Sequence, residues 1–575
     1  MPSDQSSKQT NFDYSTIVLI IELLERISRK ITNEFWDALI RRTDQSKITE
    51  LLHDPKIAES NTLLHRSEWN YLYVPWNDIL AWEYFCKIAA ADEGLKMKVE
   101  RLPGNITPEF VAALNGEEGE GRHGLLSLAL KHTEQGGIEG IPYLVPGGRF
   151  NEMYGWDSYF ISLGLLHDGR VDLVQGILDN LVYQILHYGK ILNANRTYYL
   201  TRSNPPFLTS LLRAVYECLP DGPNKKQWLH KVLDAVIFEY KTVWCGEDRK
   251  TEKTGLSRYY SHGLGLQVEI EKNHYGPLLQ RFADEQGILL EEFEKKYFKR
   301  EIVLEPLEDE IRHDRSLRES GHDTTYRLLY NCANLNTVDL NSLLYKYETD
   351  IADLLGSEFD DNYIGTDGTK EASKDWREKA ENRKVLINRF LWNAEHEFFF
   401  DFDFLKDEQT LYQSATTFYP LWAGLASKEQ AALVVEKALP CLECLGGVAS
   451  TSEASRGPIN PDRPQRQWDY PIGWAPHQML IWRGLEKYGY TREAQRIAYK
   501  WLYTIAINYV KHEERISEKY DVVKCSQRVV AEYGNEGSNV GGFGWTNASF
   551  LLGLRMLDDT LRSKLNKLVS PAEIF

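Results

Sequence analysis

The stretch G-W-D-S-Y-F-I-S-L-G-L, Gly155 to Leu165, decides how this chain is read. A Gly-Trp pair opens an apolar run of helical length, and a second glycine closes it. The same design returns as G-W-A-P-H-Q-M-L-I-W-R-G-L from Gly473 to Leu485 and as G-W-T-N-A-S-F-L-L-G-L from Gly544 to Leu554. Each unit predicts a loop at a helix N-terminus, then a buried helix. After the first unit, Leu173, Val174, Ile177, Leu178, Leu181 and Ile185 form one apolar stripe, the mark of a partner helix. The loop Gly189 to Arg196 then feeds N-P-P-F-L-T-S-L-L-R, where Pro206 suits a helix start. Ser427 and Gln430 make a capping box, and Gly189 and Gly489 stand where helices end. Successive helical hairpins with their unusual residues at one set of ends predict an all-α toroid. A helical solenoid would show a fixed-period repeat, and there is none.

Upstream the signals change. The opening M-P-S-D-Q-S-S-K-Q-T is polar, and residues 1 to about 12 are expected to be disordered. Ile17 to Arg42 reads as helix, with Ile20, Leu23, Leu24, Ile27 and Ile31 on one face. Residues 45 to 145 are mixed, with a turn at Leu102 to Asn105 and a Gly- and Glu-rich loop at Gly116 to His123. The expected division is therefore an N-terminal extension over 1–65 and a helical catalytic domain over 66–575.

Composition narrows the partners. The net charge is −17, and no Lys/Arg cluster dominates, which argues against nucleic acid. The apolar run Ile17 to Ile21 is too short to cross a bilayer. Seven cysteines lack a disulfide spacing, and the first residues lack a secretory design, so a cytoplasmic location is expected. C-L-E-C at Cys441 to Cys444 is a lone pair, short of the four ligands of a zinc site. D-D-N-Y-I-G-T-D-G-T-K-E, Asp360 to Glu371, has the length of a calcium loop. It fails at Ile364 and Asp367, so a solvated loop is expected. G-G-R-F and G-G-F-G lack the phosphate-cradling spacings. Neither cofactor nor metal is expected.

Two aromatic stretches point to a sugar: P-G-G-R-F-N-E-M-Y-G-W-D-S-Y, Pro146 to Tyr159, and Q-W-D-Y-P-I-G-W-A-P, Gln467 to Pro476. Flat rings stack on sugar C–H faces, and charged side chains take the hydroxyls. Two further strings, Arg312 to Arg327 and Ala531 to Asn547, hold carboxylates among glycines and aromatics. Glycoside hydrolysis needs a protonated carboxyl for the leaving oxygen and an ionised one to attack or to activate water. Among 84 acidic residues, sequence alone does not find that pair.

These four strings resemble the trehalases of the neutral and periplasmic type, and R-E-S-G-H-D resembles the fungal neutral subgroup, with similarity from about Tyr71 to Leu557. The resemblance implies an (α/α)6 toroid with a short helical N-terminal extension, and an inverting hydrolysis of α,α-trehalose to two glucoses. It places the general acid at Asp323 and the general base at Glu532. It implies sugar contacts at Arg149, Phe150, Trp156, Asp157, Asn193, Arg202, Glu269, Arg318, Gly321, Trp468 and Trp545, the three tryptophans being stacking platforms or barrel pillars. Two departures stand out: Asn204 where many members have Gln, and Gln267 where many have Arg. No counterpart of the subgroup's calcium loop or long regulatory tail is expected in this sequence. The physics then asks that Asp323 be desolvated or face a negative neighbour, and that about 6.5–9.5 Å separate the two carboxyls. The Gly-rich Gly534 to Gly544 stretch is a candidate lid. Three other readings are another α-glucoside as substrate, a non-catalytic sugar sensor, and a helical-repeat interaction protein. The presence of both Asp323 and Glu532 argues against the sensor, and Trp, Gly and Arg clustered at loop-to-helix junctions argue against the interaction protein.

Overall fold

The three Gly-Trp units fold into three neighbouring helices of one ring. In the computed structural model, which describes residues 22–60, 65–115, 120–270, 274–530 and 542–575, they are α4 (Gly155–His167), α13 (Ala475–Lys487) and α15 (Gly544–Met556). The ring runs from α4 to α6 (Leu208–Cys218), to α9 (Val338–Phe359), to the short α11 (Tyr419–Ala423), to α13, to α15 and back to α4. Each inner helix touches the next, so the ring is closed.

Outside it pack α5 (Val171–Tyr188), α7 (Pro223–Glu239), α10 (Ser373–Phe390), α12 (Lys428–Leu442) and α14 (Thr491–Lys511). Inner helices are apolar all round because they are covered on every side: α4 is buried from Gly155 to Leu165. Helices α4 and α15 approach closely at Gly164. A Cβ on Gly164 would lie 2.8 Å from Ala548 Cα and 2.8 Å from the Trp36 ring.

Two structural features mark the N-terminal third. The first helix, α1 (Leu23–Lys30), continues through a π turn into Trp36–Leu39, and its stripe of Leu24, Ile27, Ile31, Phe35, Trp36 and Leu39 is part of the main core. It packs on α14 and on α16 (Asp559–Asn566). It stops at Leu39 because Ile40 and Arg41 pair with Leu144 and Tyr143.

The mixed segment holds a parallel sheet: β1 (Asn70–Val74) lies between β2 (Met97–Arg101) and β3 (Gly124–Leu126). The crossovers carry α2 (Ile79–Ala91) and α3 (Pro108–Ala113), as parallel pairing requires. Gly124 fits beside β1 because a Cβ there would lie 2.1 Å from Tyr71 O. This α/β unit lies in the stretch 45 to 145 that the sequence marks as mixed, within the span 66–575 expected for the catalytic domain.

The expected disorder at residues 1–12 lies outside the described residues. The Asp360–Glu371 string is a hairpin, Tyr363–Ile364 on Lys370–Glu371. There Asp361 accepts from Ser373 N at 2.7 Å, and Asp367 accepts from Thr369 N at 2.8 Å.

Candidate active site

Four of the six inner helices, α4, α6, α13 and α15, present their N-terminal ends to one cavity. Its wall includes Phe150, Tyr154, Trp156, Asp157, Asn193, Asn204, Gly321, Asp323, Gln467, Trp468, Trp474, Glu518, Phe543 and Trp545. Local structure explains why these residues meet. Trp156 and Asp157 are in the first turn of α4, and Trp545 is in the first turn of α15. Asn204 Oδ1 accepts the Trp156 backbone N–H at 2.6 Å and so ties the chain before α6 to the start of α4. Asn204, the short side chain that departs from the resemblance, thus has a backbone partner.

The tryptophans are both wall and pillar. Trp468 stacks on Trp474 with centroids 4.0 Å apart and planes 1° from parallel. Trp156 lies 5.6 Å from Trp468, and Trp545 meets Trp474 edge-on at 5.7 Å. Gly321, in the left-handed region at φ +75°, leaves room for the Trp156 ring, which a Cβ would approach to 2.8 Å.

Asp323 follows α8 (Glu305–Glu319) by four residues. Its side chain keeps 30% of its surface open to the cavity, yet Oδ1 has no hydrogen-bond partner. Arg318 Nη1 is 3.9 Å from its Oδ2. Burial raises the carboxyl to about 6; Arg318 and Arg202 pull against this, while Asp314 and Glu269 add to it. Asp157, 6% exposed, is raised well above the carboxylate range by burial and by the negative Glu518 and Asp323.

Other expected contacts lie in or just behind the wall. Asn193 Nδ2 donates to Arg318 O at 3.4 Å. Arg202 is buried, with Nη2 2.8 Å from Glu269 Oε1 and Nη1 donating to Gln267 Oε1. Glu269 itself faces a second, smaller cavity with Arg315 and His123. Arg149 lies over the Phe150 ring at 5.4 Å, and Phe150 is in the wall. Glu532 and most of the candidate lid lie outside the described residues.

Sequence reading missed Glu518, Trp474, Tyr154, Phe543 and Gln467. Glu518 arrives through a strand pair: β4 (Ile472–Trp474) runs antiparallel to β5 (Lys519–Asp521), with Trp474 opposite Lys519. That pairing sets Glu518 beside the tryptophan wall, where Lys519 Nζ is 2.8 Å from its Oε2 and Trp545 Nε1 donates to its backbone oxygen at 3.1 Å. S-E-K-Y-D carries no periodic or glycine signal. Only its closeness to the second aromatic stretch across the strand pair marks it.

A ring of helix pairs around a cavity walled by tryptophans and carboxylates defines a carbohydrate-processing toroid. The trehalase family pattern matches residues 7–558, and the chain belongs to that family. It is 45% identical to a "Probable trehalase" of Saccharomyces cerevisiae, over 96% of this chain and 71% of that one. It is 44% identical to the "Cytosolic neutral trehalase" of the same yeast, over 96% and 74%. The solved structure "Neutral trehalase Nth1 from Saccharomyces cerevisiae" superposes with a TM-score of 0.88 at 42% identity, covering 96% of this chain and 97% of that one.

Proposed function

We propose that the protein hydrolyses α,α-trehalose to two glucoses with inversion, in the cytoplasm. The observation that carries the reading is Asp323: a carboxyl raised to about 6 and open to a cavity walled by aromatic rings. A carboxyl with that value is still partly protonated near neutral pH and is suited to protonating the leaving glucose. Membership of the trehalase family and relatives named cytosolic neutral trehalase support the substrate and the compartment. Among the described residues no helix is long and apolar enough to cross a membrane. Arg202, Arg318, Asn193 and Asp157 are the candidates for holding sugar hydroxyls.

The second carboxylate activates water on the opposite face of the glucose ring. Glu518 is the strongest candidate among the described residues, because it stands on the cavity wall as an ion pair with Lys519. Glu532 is the candidate from the resemblance. In either case the base takes a proton from water, the water oxygen bonds to the anomeric carbon, and the glycosidic bond breaks as Asp323 gives its proton to the departing oxygen.

The test is proton NMR of trehalose hydrolysis within the first minute. Inversion at one anomeric carbon releases one α- and one β-glucose from each trehalose. Asp323→Ala is expected to lose several orders of magnitude in kcat. Of Glu518→Gln and Glu532→Gln, the variant that falls as far identifies the base. Only α-glucose at early times would refute inversion, and no glucose at all would turn the substrate towards another α-glucoside.

A further inference from the structure

The cavity wall is backed by a buried polar layer that the proposed reaction does not use. Its centre is Asp314, on α8 one turn before Arg318. Asp314 Oδ2 accepts from Arg318 Nε at 3.0 Å, from Gln267 Nε2 at 2.7 Å and from Tyr275 OH at 2.7 Å. Its Oδ1 is 3.3 Å from His274 Nε2. The side chain is 9% exposed and is absent from the cavity wall.

We propose that Asp314 is a positioning residue for Asp323: its carboxylate orients Arg318 and balances that charge, so the arginine stands beside Asp323 without drawing off its proton. The reasoning rests on the reading of Asp323 as general acid.

Two guanidinium groups bear on Asp323. Each already has a carboxylate of its own: Arg318 has Asp314 at 3.0 Å, and Arg202 has Glu269 at 2.8 Å. Asp323, 3.9 Å from Arg318, is a further carboxyl beside two pairs that are each balanced. Gln267 links the two pairs, accepting from Arg202 and donating to Asp314, and it adds no charge. The other groups bearing on this layer are His274 and Tyr275 beside Asp314, Arg315 near Glu269 with its guanidinium donating to the Leu264 and Gly265 carbonyls, and Asp157 with the Glu518–Lys519 pair across the cavity. The same balance accounts for both carboxyls, Asp314 on α8 and Asp323 four residues past its end. Burial opposes the charge on Asp314, but Arg318, His274 and the hydrogen bonds overcome it and hold Asp314 well below the carboxylate range. At Asp323 burial prevails over the two arginines, which Asp314 and Glu269 offset.

Asp314→Asn keeps the shape and removes the charge. An opposite charge within about 4–6 Å lowers a carboxyl by one to three units. The alkaline limb of the kcat/KM profile for trehalose should therefore move down by about one pH unit in this variant. At pH 7 that is a loss of about ten-fold relative to the parent at the same pH, with activity approaching the parent's near pH 5. Glu269→Gln removes the other counter-charge and should move the limb the same way; it is the deciding variant if Asp314→Asn does not fold. An unmoved limb in a folded variant overturns the proposal, and so does a uniform loss at every pH.

Asp323→Asn with α-glucosyl fluoride separates the two ideas, since fluoride leaves without a protonated carboxyl. Fluoride turnover without trehalose turnover upholds the acid role, so an unmoved limb then counts against Asp314 alone. Parental activity of Asp323→Asn on trehalose would remove both.

Discussion

Glu319 offers the most direct test of how the cavity wall is held. It is 0% exposed and ends α8, and three donors converge on it. Ser203 N and Arg249 Nη2 donate to Oε1 at 2.8 and 2.5 Å, and Tyr260 N donates to Oε2 at 2.8 Å. Ser203 lies between Arg202 and Asn204, so this carboxylate fixes the loop that carries both relative to Asp323. Glu319→Gln keeps the size but replaces one acceptor oxygen with a donor amide, which must then face a donor. One charge-assisted hydrogen bond is worth about 1.5–3 kcal/mol, and stripping a buried cation of its partner costs about 3–5 kcal/mol. The two losses overlap, so the expected destabilisation is about 4 kcal/mol. At about 2.1 cal/mol/K per residue, a chain this size would lose about 3–4 °C in Tm if it melts as one unit. The assay pairs a thermal melt with trehalose kinetics: KM should rise more than kcat falls, because the sugar-holding loop shifts while Asp323 remains. A Tm within 1 °C of the parent together with an unchanged KM would refute the hub. The exposed pair Lys295–Glu291 serves as control, since water and salt screen such a pair and breaking it should leave the melt unchanged.

Three further outcomes are expected. Asp323→Asn should be more stable than the parent at pH 7.5, by about 1–2 kcal/mol once the open part of the side chain is allowed for. The sign follows from the raised carboxyl: its favourable neutral form is complete below the ordinary value of 3.8 and is lost as pH rises through about 6, so the advantage should vanish below pH 4. Equal melts at pH 7.5 would contradict this. Gly164→Ala should destabilise by about 1–3 kcal/mol by forcing α4 away from α15, and a parental melt would show that the helices can part without cost. Ser427→Ala breaks one arm of the capping box on α12, Gln430 N to Ser427 Oγ at 3.1 Å, and leaves the other, Ser427 N to Gln430 Oε1 at 2.9 Å, at a cost of about 1 kcal/mol. Amide exchange should speed up several-fold in the first turn of α12 and nowhere else; a uniform change would point to global destabilisation instead.

Helix identity was written locally. The stripe from Leu173 to Ile185, Pro206 ahead of α6, the Ser427 cap and Gly189 after α5 each act within a few residues, through steric limits and backbone hydrogen bonds that need no distant partner. The Gly-Trp units could be read as helix starts for the same reason, and Trp156, Asp157, Trp468 and Trp545 went with them to the cavity because the N-terminal ends of the ring share one side. The mixed segment was harder. Its parallel strands pair Tyr71 with Gly124 and Asn70 with Met97, contacts between distant residues that leave no periodic trace in so short a strand.

Charge relations lay further still beyond the sequence. Nothing around Glu518 sets it apart from other surface acids until β5 pairs with β4. Asp314 reads as one more charge on an exposed helix until Gln267, Tyr275 and Arg318 close over it. Whether a carboxyl is neutral or ionised depends on how much water reaches it and which charges stand within a few ångströms, and those distances come into being only when the ring closes.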